Sequence, residues 1–342
     1  MSSHRSLLGR LLDAVEIVSS TSYTWFGVRS PGLARELEVT MGPGSAREYL
    51  VHTLKWRLYG DFYCAGGVRP ALNEPDVQSP TGDSVFNRDL SYANAGAGGR
   101  EPGWRVTRVD GRQLVVARDG LSLWMSPDEV YLVDGPDFSP GAHVGILMPK
   151  ELLRLSPGFY MALGNAEFPV DGSVPVLRFY WNLRSEGAAA LINALTTRLN
   201  GRALPFRLKV VNEPGRYSRC DAGVLYTRQA DYDQVAPVVS DVHGMLAPAL
   251  KRGTPALTKV IAPGLGLAED PGTGSVSFGM SRCELIAEAL VRSAELGAAH
   301  PDQRLRSIED RFAEAGLSLD APYLNAGAHD RYTYRQHERS HR

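Results

Sequence analysis

The sequence predicts an α+β protein: an N-terminal helical region followed by a mixed β-sheet with packed helices. Three observations carry that reading. Apolar residues recur at helical spacing near the N-terminus, and short apolar runs separated by Asp-Gly pairs fill residues 104–150. Strand-like and helix-like segments then alternate as far as residue 296.

Residues 5–62 read mostly helical. Leu7, Leu8, Leu11, Leu12, Val15 and Val18 lie on one apolar face, and Tyr49, Leu50, Leu54, Leu58 and Tyr59 form a second between Ala46 and Tyr63. From 73 to 103 the composition turns to Asn, Asp, Ser, Pro and Gly, which predicts a long flexible loop. Residues 104–170 read as β structure, with Asp110–Gly111 and Asp119–Gly120 supplying hairpin turns. Within 171–300 the order is strand Val176–Arg184, helix Gly187–Leu199, strand Phe206–Val211, strand Ala222–Thr227 and helix Asp231–Leu246. Extended Thr258–Ala262, a Gly-rich loop and helix Arg282–Leu296 complete this αβ core. Residues 301–342 are left for a C-terminal helix and a frayed basic tail from Arg331. The expected divisions are therefore 1–72, 73–103, 104–170, 171–300 and 301–342.

Charge and cysteine content narrow the function classes. The 342 residues hold 37 Lys+Arg against 38 Asp+Glu, a net charge of −1, which argues against a nucleic-acid coat. No apolar run reaches membrane-spanning length and no secretory signal is legible, so the expected partners exclude a membrane and the expected location is cytoplasmic. Cys64, Cys220 and Cys283 are far apart and form no C-x-x-C pair, and the histidines have no metal spacing, so no metal or other cofactor is expected. Only five of the 37 cations are lysines (Lys55, Lys150, Lys209, Lys251 and Lys259). Where Arg is the default cation, a retained Lys is a candidate for a role that needs an amine.

Strand alternation places the candidate chemistry. In Leu177–Leu183 the residues Leu177, Phe179, Trp181 and Leu183 share an apolar face, and Arg178, Tyr180 and Asn182 share the other. In Phe206–Val210, Arg207 and Lys209 point together away from the core, with no acid in the strand to neutralise them. If the two strands pair, those five residues form one anion-binding surface. Arg219, Lys259 and Arg282 add cations that could fork onto a phosphate, although each taken singly could be a surface salt bridge, Arg219 with Asp221 and Arg282 with Glu284.

Several of these stretches resemble the HopA-type type III effector family: Arg178–Asn182, Pro205–Val210, Tyr217–Tyr226, Thr258–Val260, Gly264–Pro271 and Ser277–Glu284. Members of that family also occur in bacterial clusters that make class V lanthipeptides and thioamitides. A more distant similarity is to the phosphothreonine lyases, with which the αβ core would share its fold. The resemblance implies a phosphoserine/phosphothreonine lyase. It would β-eliminate phosphate from a precursor peptide to leave dehydroalanine or dehydrobutyrine, beside an aminoglycoside-phosphotransferase-like kinase and a cyclase.

The lyase pattern is a strand with Lys-x-His and, about thirty residues on, a strand with Lys-x-Lys. Here Arg178-x-Tyr180 and Arg207-x-Lys209 occupy those places, so the resemblance assigns Lys209 as the base and puts Tyr180 where the acid would be. Arg178, Asn182, Arg207, Arg219, Lys259 and Arg282 would bind phosphate or substrate. A lysine base must be neutral to act, and nearby arginines and partial burial would favour that form. Two other readings use the same residues: a phosphopeptide- or leader-binding adaptor for the kinase, and a secreted effector.

Overall fold

A computed structural model of the chain describes residues 3–34, 44–70, 82–168, 174–272, 276–298 and 300–333. It is an α+β protein whose centre is one seven-stranded sheet. Helix α1 (Ser3–Ala14) opens the chain and leads into a small antiparallel sheet of β1 (Val15–Ser19), β2 (Ser22–Trp25) and β3 (Val28–Arg29). The helical reading through Val18 is therefore corrected. The β-branched run Val15, Ile17 and Val18 is stiff at χ1 and pairs with Ser22–Trp25 instead of extending α1. Helix α2 (Ser45–Leu58) runs on into a π-helical turn, Tyr59–Tyr63.

The stretch expected to be a loop is also corrected. Residues 73–81 lie outside the described residues, but Ser84–Ala93 form helix α3, started by the Asp83 carboxylate accepting from the Phe86 N–H at 2.7 Å. Phe86, Leu90 and Ala93 at helical spacing pack on the core, a stripe that the polar composition hides. Residues 99–103 already belong to β4 (Gly99–Asp110). With β5 (Gln113–Arg118), β6 (Leu121–Met125), β7 (Val130–Leu132) and β8 (His143–Met148) it forms a five-stranded sheet, order β6-β5-β4-β8-β7, with its own small core around Trp104, Val116 and Ile146. Asp119 and Gly120, both at positive φ, make the β5–β6 turn.

The main sheet combines β9 (Glu151–Leu152), β10 (Phe159–Leu163), β11 (Val176–Trp181), β12 (Phe206–Val211), β13 (Gly223–Arg228), β14 (Lys259–Ala262) and β15 (Leu265–Glu269) in the order β14-β15-β11-β13-β12-β10-β9. All recorded pairings in it are antiparallel. Of Gly264–Gly266, expected in a loop, only Gly264 is a turn residue, at positive φ; Leu265 and Gly266 are already in β15, paired with Trp181 and Tyr180. Helices α4 (Ala188–Asn200) and α5 (Tyr232–Leu246) cover one face, where Phe179, Trp181, Phe206, Leu208 and Leu225 meet Leu191, Leu195 and Val239. Helices α1, α2, α6 (Phe278–Glu295) and α7 (Pro301–Glu314) form a second layer over the opposite face. There Tyr180, Val224 and Ala268 meet Leu54, Leu58, Phe278 and Ile286. This roof lies over β15, β11 and β13, and its apolar cluster includes no residue of β12. The segment after α7 docks as well: Tyr332 is buried in the core and Arg331 donates to the Gln229 carbonyl, so the start of the expected tail is anchored. Residues 334–342 lie outside the described residues. No described helix is long and apolar enough to cross a membrane.

Candidate functional site

Strands β11 and β12 do not pair with each other; β13 lies between them. The crossover through α4 is long enough to leave a strand's width, and the β12–β13 hairpin fills it. The register nevertheless aligns the expected residues in two rows. Arg178, Tyr226 and Arg207 stand level across β11, β13 and β12, and Tyr180, Val224 and Lys209 form the next row. Partners across an antiparallel ladder share a face, so Arg178, Tyr180, Arg207 and Lys209 do lie on one surface, its halves about 10 Å apart.

The half on β11 is buried. Arg178 donates from Nε to Asp270 Oδ2 at 2.6 Å, with its guanidinium carbon 5.0 Å from the Tyr226 ring centre. Burial alone would lower its pKa, yet the surrounding Tyr226, Tyr180 and Asp270 hold it above its ordinary value. Tyr180 is 2 % exposed, packed against Tyr63 and Phe278, and its hydroxyl has no hydrogen-bond partner among the described residues. Burial drives this phenol well up, against the opposing pull of Arg178. The phenol that the sequence reading put in the acid's place is therefore covered by the helical layer and not open on the sheet surface. Asn182 is also buried, and its Nδ2 donates to the Gly253 carbonyl at 2.9 Å. Its Oδ1 has no partner among the described residues.

The half on β12 is different. Arg207 and Lys209 are half-buried, and among the described residues neither has a carboxylate within salt-bridge range. The Lys209 amine lies 4.4 Å from the centre of the Phe159 ring and 5.8 Å from that of Tyr226. Arg207 sits over Phe168, 5.4 Å from its ring centre, at the edge of a cavity of about 150 Å³ that Arg100 and Glu167 also line. Burial pushes the Arg207 guanidinium down, with Tyr226 pulling the other way.

Arg219 comes to the same region from the loop before β13, its guanidinium carbon 5.2 Å from the same Phe159 ring. It is ion-paired with the buried Asp221, Nη2 to Oδ2 at 2.9 Å, as one sequence alternative had it, and also donates to the Tyr59 hydroxyl and Cys64 Sγ. Burial would raise the Asp221 pKa, but Arg219 and then Lys209 hold the carboxylate below its usual range.

Two expected phosphate ligands do not join the site. Lys259 is level with Leu267 and Phe179, on the opposite face, and is held by the Asp330 carboxylate and the Tyr332 carbonyl at 2.8 Å. Arg282 is buried on α6, donating to the Pro322 and Leu324 carbonyls at 2.9 and 3.0 Å, and burial pushes it down to about 10. Glu284, its expected partner, pairs with Lys55 instead. Among the described residues no group of His, Cys, Asp and Glu could hold a metal, and the three cysteines are free and buried.

The residue that sequence reasoning passed over is Tyr226. It is half-buried, at the centre of the first row, between Arg178 and Arg207 and beside Lys209. Alternation along Val224–Arg228 would have put it on the cationic face, had the order β11-β13-β12 been known.

In comparisons with known proteins, the HopA1 effector protein family matches residues 150–324, just over half of the chain. Among solved structures, the chain is similar to the effector protein from Pseudomonas syringae pv. tomato strain DC3000, at 17% identity and a TM-score of 0.46 over 81% of this chain and 95% of that one. It is also similar to the effector protein from Pseudomonas syringae pv. syringae strain 61, at 12% identity and a TM-score of 0.45 over 95% and 99% of the two chains. No curated protein matches it.

Proposed function

The chain belongs to the HopA1 effector protein family, and from that premise we propose that it is a cytoplasmic phosphoserine/phosphothreonine lyase. Its substrate is a phosphorylated ribosomal precursor peptide, supplied by a partner kinase and passed on to a cyclase. The observation that supports this reading best is Lys209: a half-buried amine tied to no carboxylate among the described residues, one position along the strand face from Arg207. A phosphate bound by Arg207, with Arg219 adding positive potential, would bring the α-carbon of the phosphoresidue to that amine.

Lys209 Nζ takes the α-proton, the Cα–H electron pair becomes the Cα=Cβ bond, and the Cβ–O bond breaks with its pair leaving on phosphate. No electrons are gained or lost overall. The leaving phosphate is helped by Arg207 and by a proton from a phenol, and Tyr226 takes the place that Tyr180 cannot fill.

The test is mass spectrometry of a synthetic phosphopeptide incubated with the protein, looking for loss of H3PO4. Lys209→Ala and Lys209→Arg should each slow elimination by about 10³-fold, because arginine keeps the charge but is not a base at neutral pH. Elimination at full rate by Lys209→Arg would refute the assignment. The burial of Tyr180 favours a second reading, the phosphopeptide-binding adaptor. It would show as phosphopeptide binding without elimination in the wild type, undiminished in Lys209→Arg.

A further inference from the structure

Far from Lys209, the first strand of the N-terminal sheet has an open edge. The order β1-β2-β3 leaves β1 paired on one side only among the described residues. The Phe26 N–H donates to the Ala14 carbonyl and Val15 stands opposite Trp25, so Glu16 faces β2 while the backbone groups of Val15 and Ile17 face outward. The outward Val15 carbonyl is taken by Arg304 Nη2 at 2.6 Å. The Ile17 N–H and C=O point away from β2, and no described residue pairs with them. Such an edge is a template for another strand.

Beside this edge runs a trough. Two cavities of about 520 and 530 Å³ meet at Ile17 and Ala294, one along Val15–Ile17 and the other along Ile17–Ser20. Their far wall is the C-terminal half of α6, where Ala294 is exposed and Leu290 and Val291 lie buried in the core beneath it. Val18, displaced by a register shift after Ile17, is 40 % exposed at the rim. At the Val15 end, Asp13 and Glu16 are exposed and have no salt bridge among the described residues; Arg304, the cation lining that cavity, donates to the Leu12 and Val15 carbonyls and acts on the two acids only through space.

We propose that this trough binds an extended peptide segment, added as a fourth strand on β1, with apolar residues at alternate positions against α6 and a lysine or arginine at the Asp13–Glu16 end. The open Ile17 backbone pair supplies affinity and register, the exposed Ala294 and Val18 give an apolar side chain a place to pack, and the acid pair sets the polarity of the segment. The proposal does not depend on Lys209 being a base.

The test uses the full chain and labelled synthetic peptides of alternating valine and threonine that end in two lysines or two glutamates, read by fluorescence anisotropy. The lysine peptide should bind, the glutamate peptide about tenfold more weakly, and Asp13→Asn with Glu16→Gln should remove that difference. Ile17→Pro should cut binding about tenfold while leaving the β1–β2 pairing intact, because the lost N–H faces outward. If that variant melts early, hydrogen exchange on the wild type decides instead: bound peptide should slow the Ile17 amide and leave Glu16 unchanged. Absence of binding by the wild type would overturn the proposal. So would binding that neither Ile17→Pro nor a trough-filling Ala294→Arg affects. A wild type that dimerises through β1, with Ile17→Pro dissociating the dimer, would assign the edge to a second copy and overturn it too.

Discussion

Strands β11 and β12 carry the same device, a cation and a second polar residue alternating with core apolar side chains, and the fold uses the two in opposite ways. On β11 the Arg178 and Tyr180 side chains are roofed by α2, α6 and the π-helical turn, and Arg178 is tied to Asp270. On β12 the Arg207 and Lys209 side chains stay half-exposed and bound to no carboxylate among the described residues. Alternation tells which residues share a face, but what covers that face depends on apolar stripes elsewhere in the chain. Leu54, Leu58 and Ile286 need a surface, and they take the one over β11.

The largest way to break this comparison is to remove cations from each part. Arg178→Ala and Arg219→Ala remove the ion-pair partners of Asp270 and the buried Asp221, and each should cost about 3–5 kcal/mol of stability. Arg207→Ala should cost less than about 1 kcal/mol and act instead on substrate binding. Urea denaturation of the three variants checks the contrast. Equal losses would mean that both strands are structural and that β12 holds no site.

A smaller effect sharpens the boundary between the two parts, where Arg219 and Asp221 sit. The folded Asp221 pKa is held below its unfolded value. Its stabilising contribution is therefore complete above the unfolded carboxylate pKa, about 3.9, and is lost as pH falls through the lower folded value. Acid unfolding should accordingly steepen below about pH 4. In Asp221→Asn that part of the acid limb should flatten, together with a loss of stability at neutral pH, as read by circular dichroism across pH.

How much of this was legible in the sequence depends on the range of the interaction involved. The strands Val176–Trp181 and Phe206–Val211 and the helices α2, α4 and α5 follow from short-range periodicity, and the structure has them within a few residues of the sequence reading. The facing of Arg178, Tyr180, Arg207 and Lys209 followed from the same rule. What failed was long-range: β13 inserts between β11 and β12, the segment after α7 captures Lys259 and Arg282, and the N-terminal layer seals Tyr180. In each case the partner lies far along the chain, as Asp330 does from Lys259, so no local pattern could signal it. At the N-terminus the failure was one of period. Val15 and Val18 fit a helical stripe as well as Val15 and Ile17 fit a strand, and pairing with Ser22–Trp25 decided between them.

The smallest effect is the most discriminating, because it compares two phenols on one surface. Tyr180 has a buried hydroxyl with no hydrogen-bond partner among the described residues, so Tyr180→Phe removes a polar atom unsatisfied there and keeps the ring against Tyr63 and Phe278. Such a change is close to neutral or stabilising, within about 1 kcal/mol. Elimination should be unchanged too, since no substrate group reaches a ring under that roof. Tyr226→Phe is the same chemical change one strand over, on a half-buried ring between Arg178 and Arg207. It should leave stability alike but slow phosphate departure by about 10²-fold, the lower end for a lost proton donor. Measured side by side, a slow Tyr180→Phe with a normal Tyr226→Phe would mean that the roof over β11 opens during turnover. The catalytic surface would then span both strands, not β12 alone.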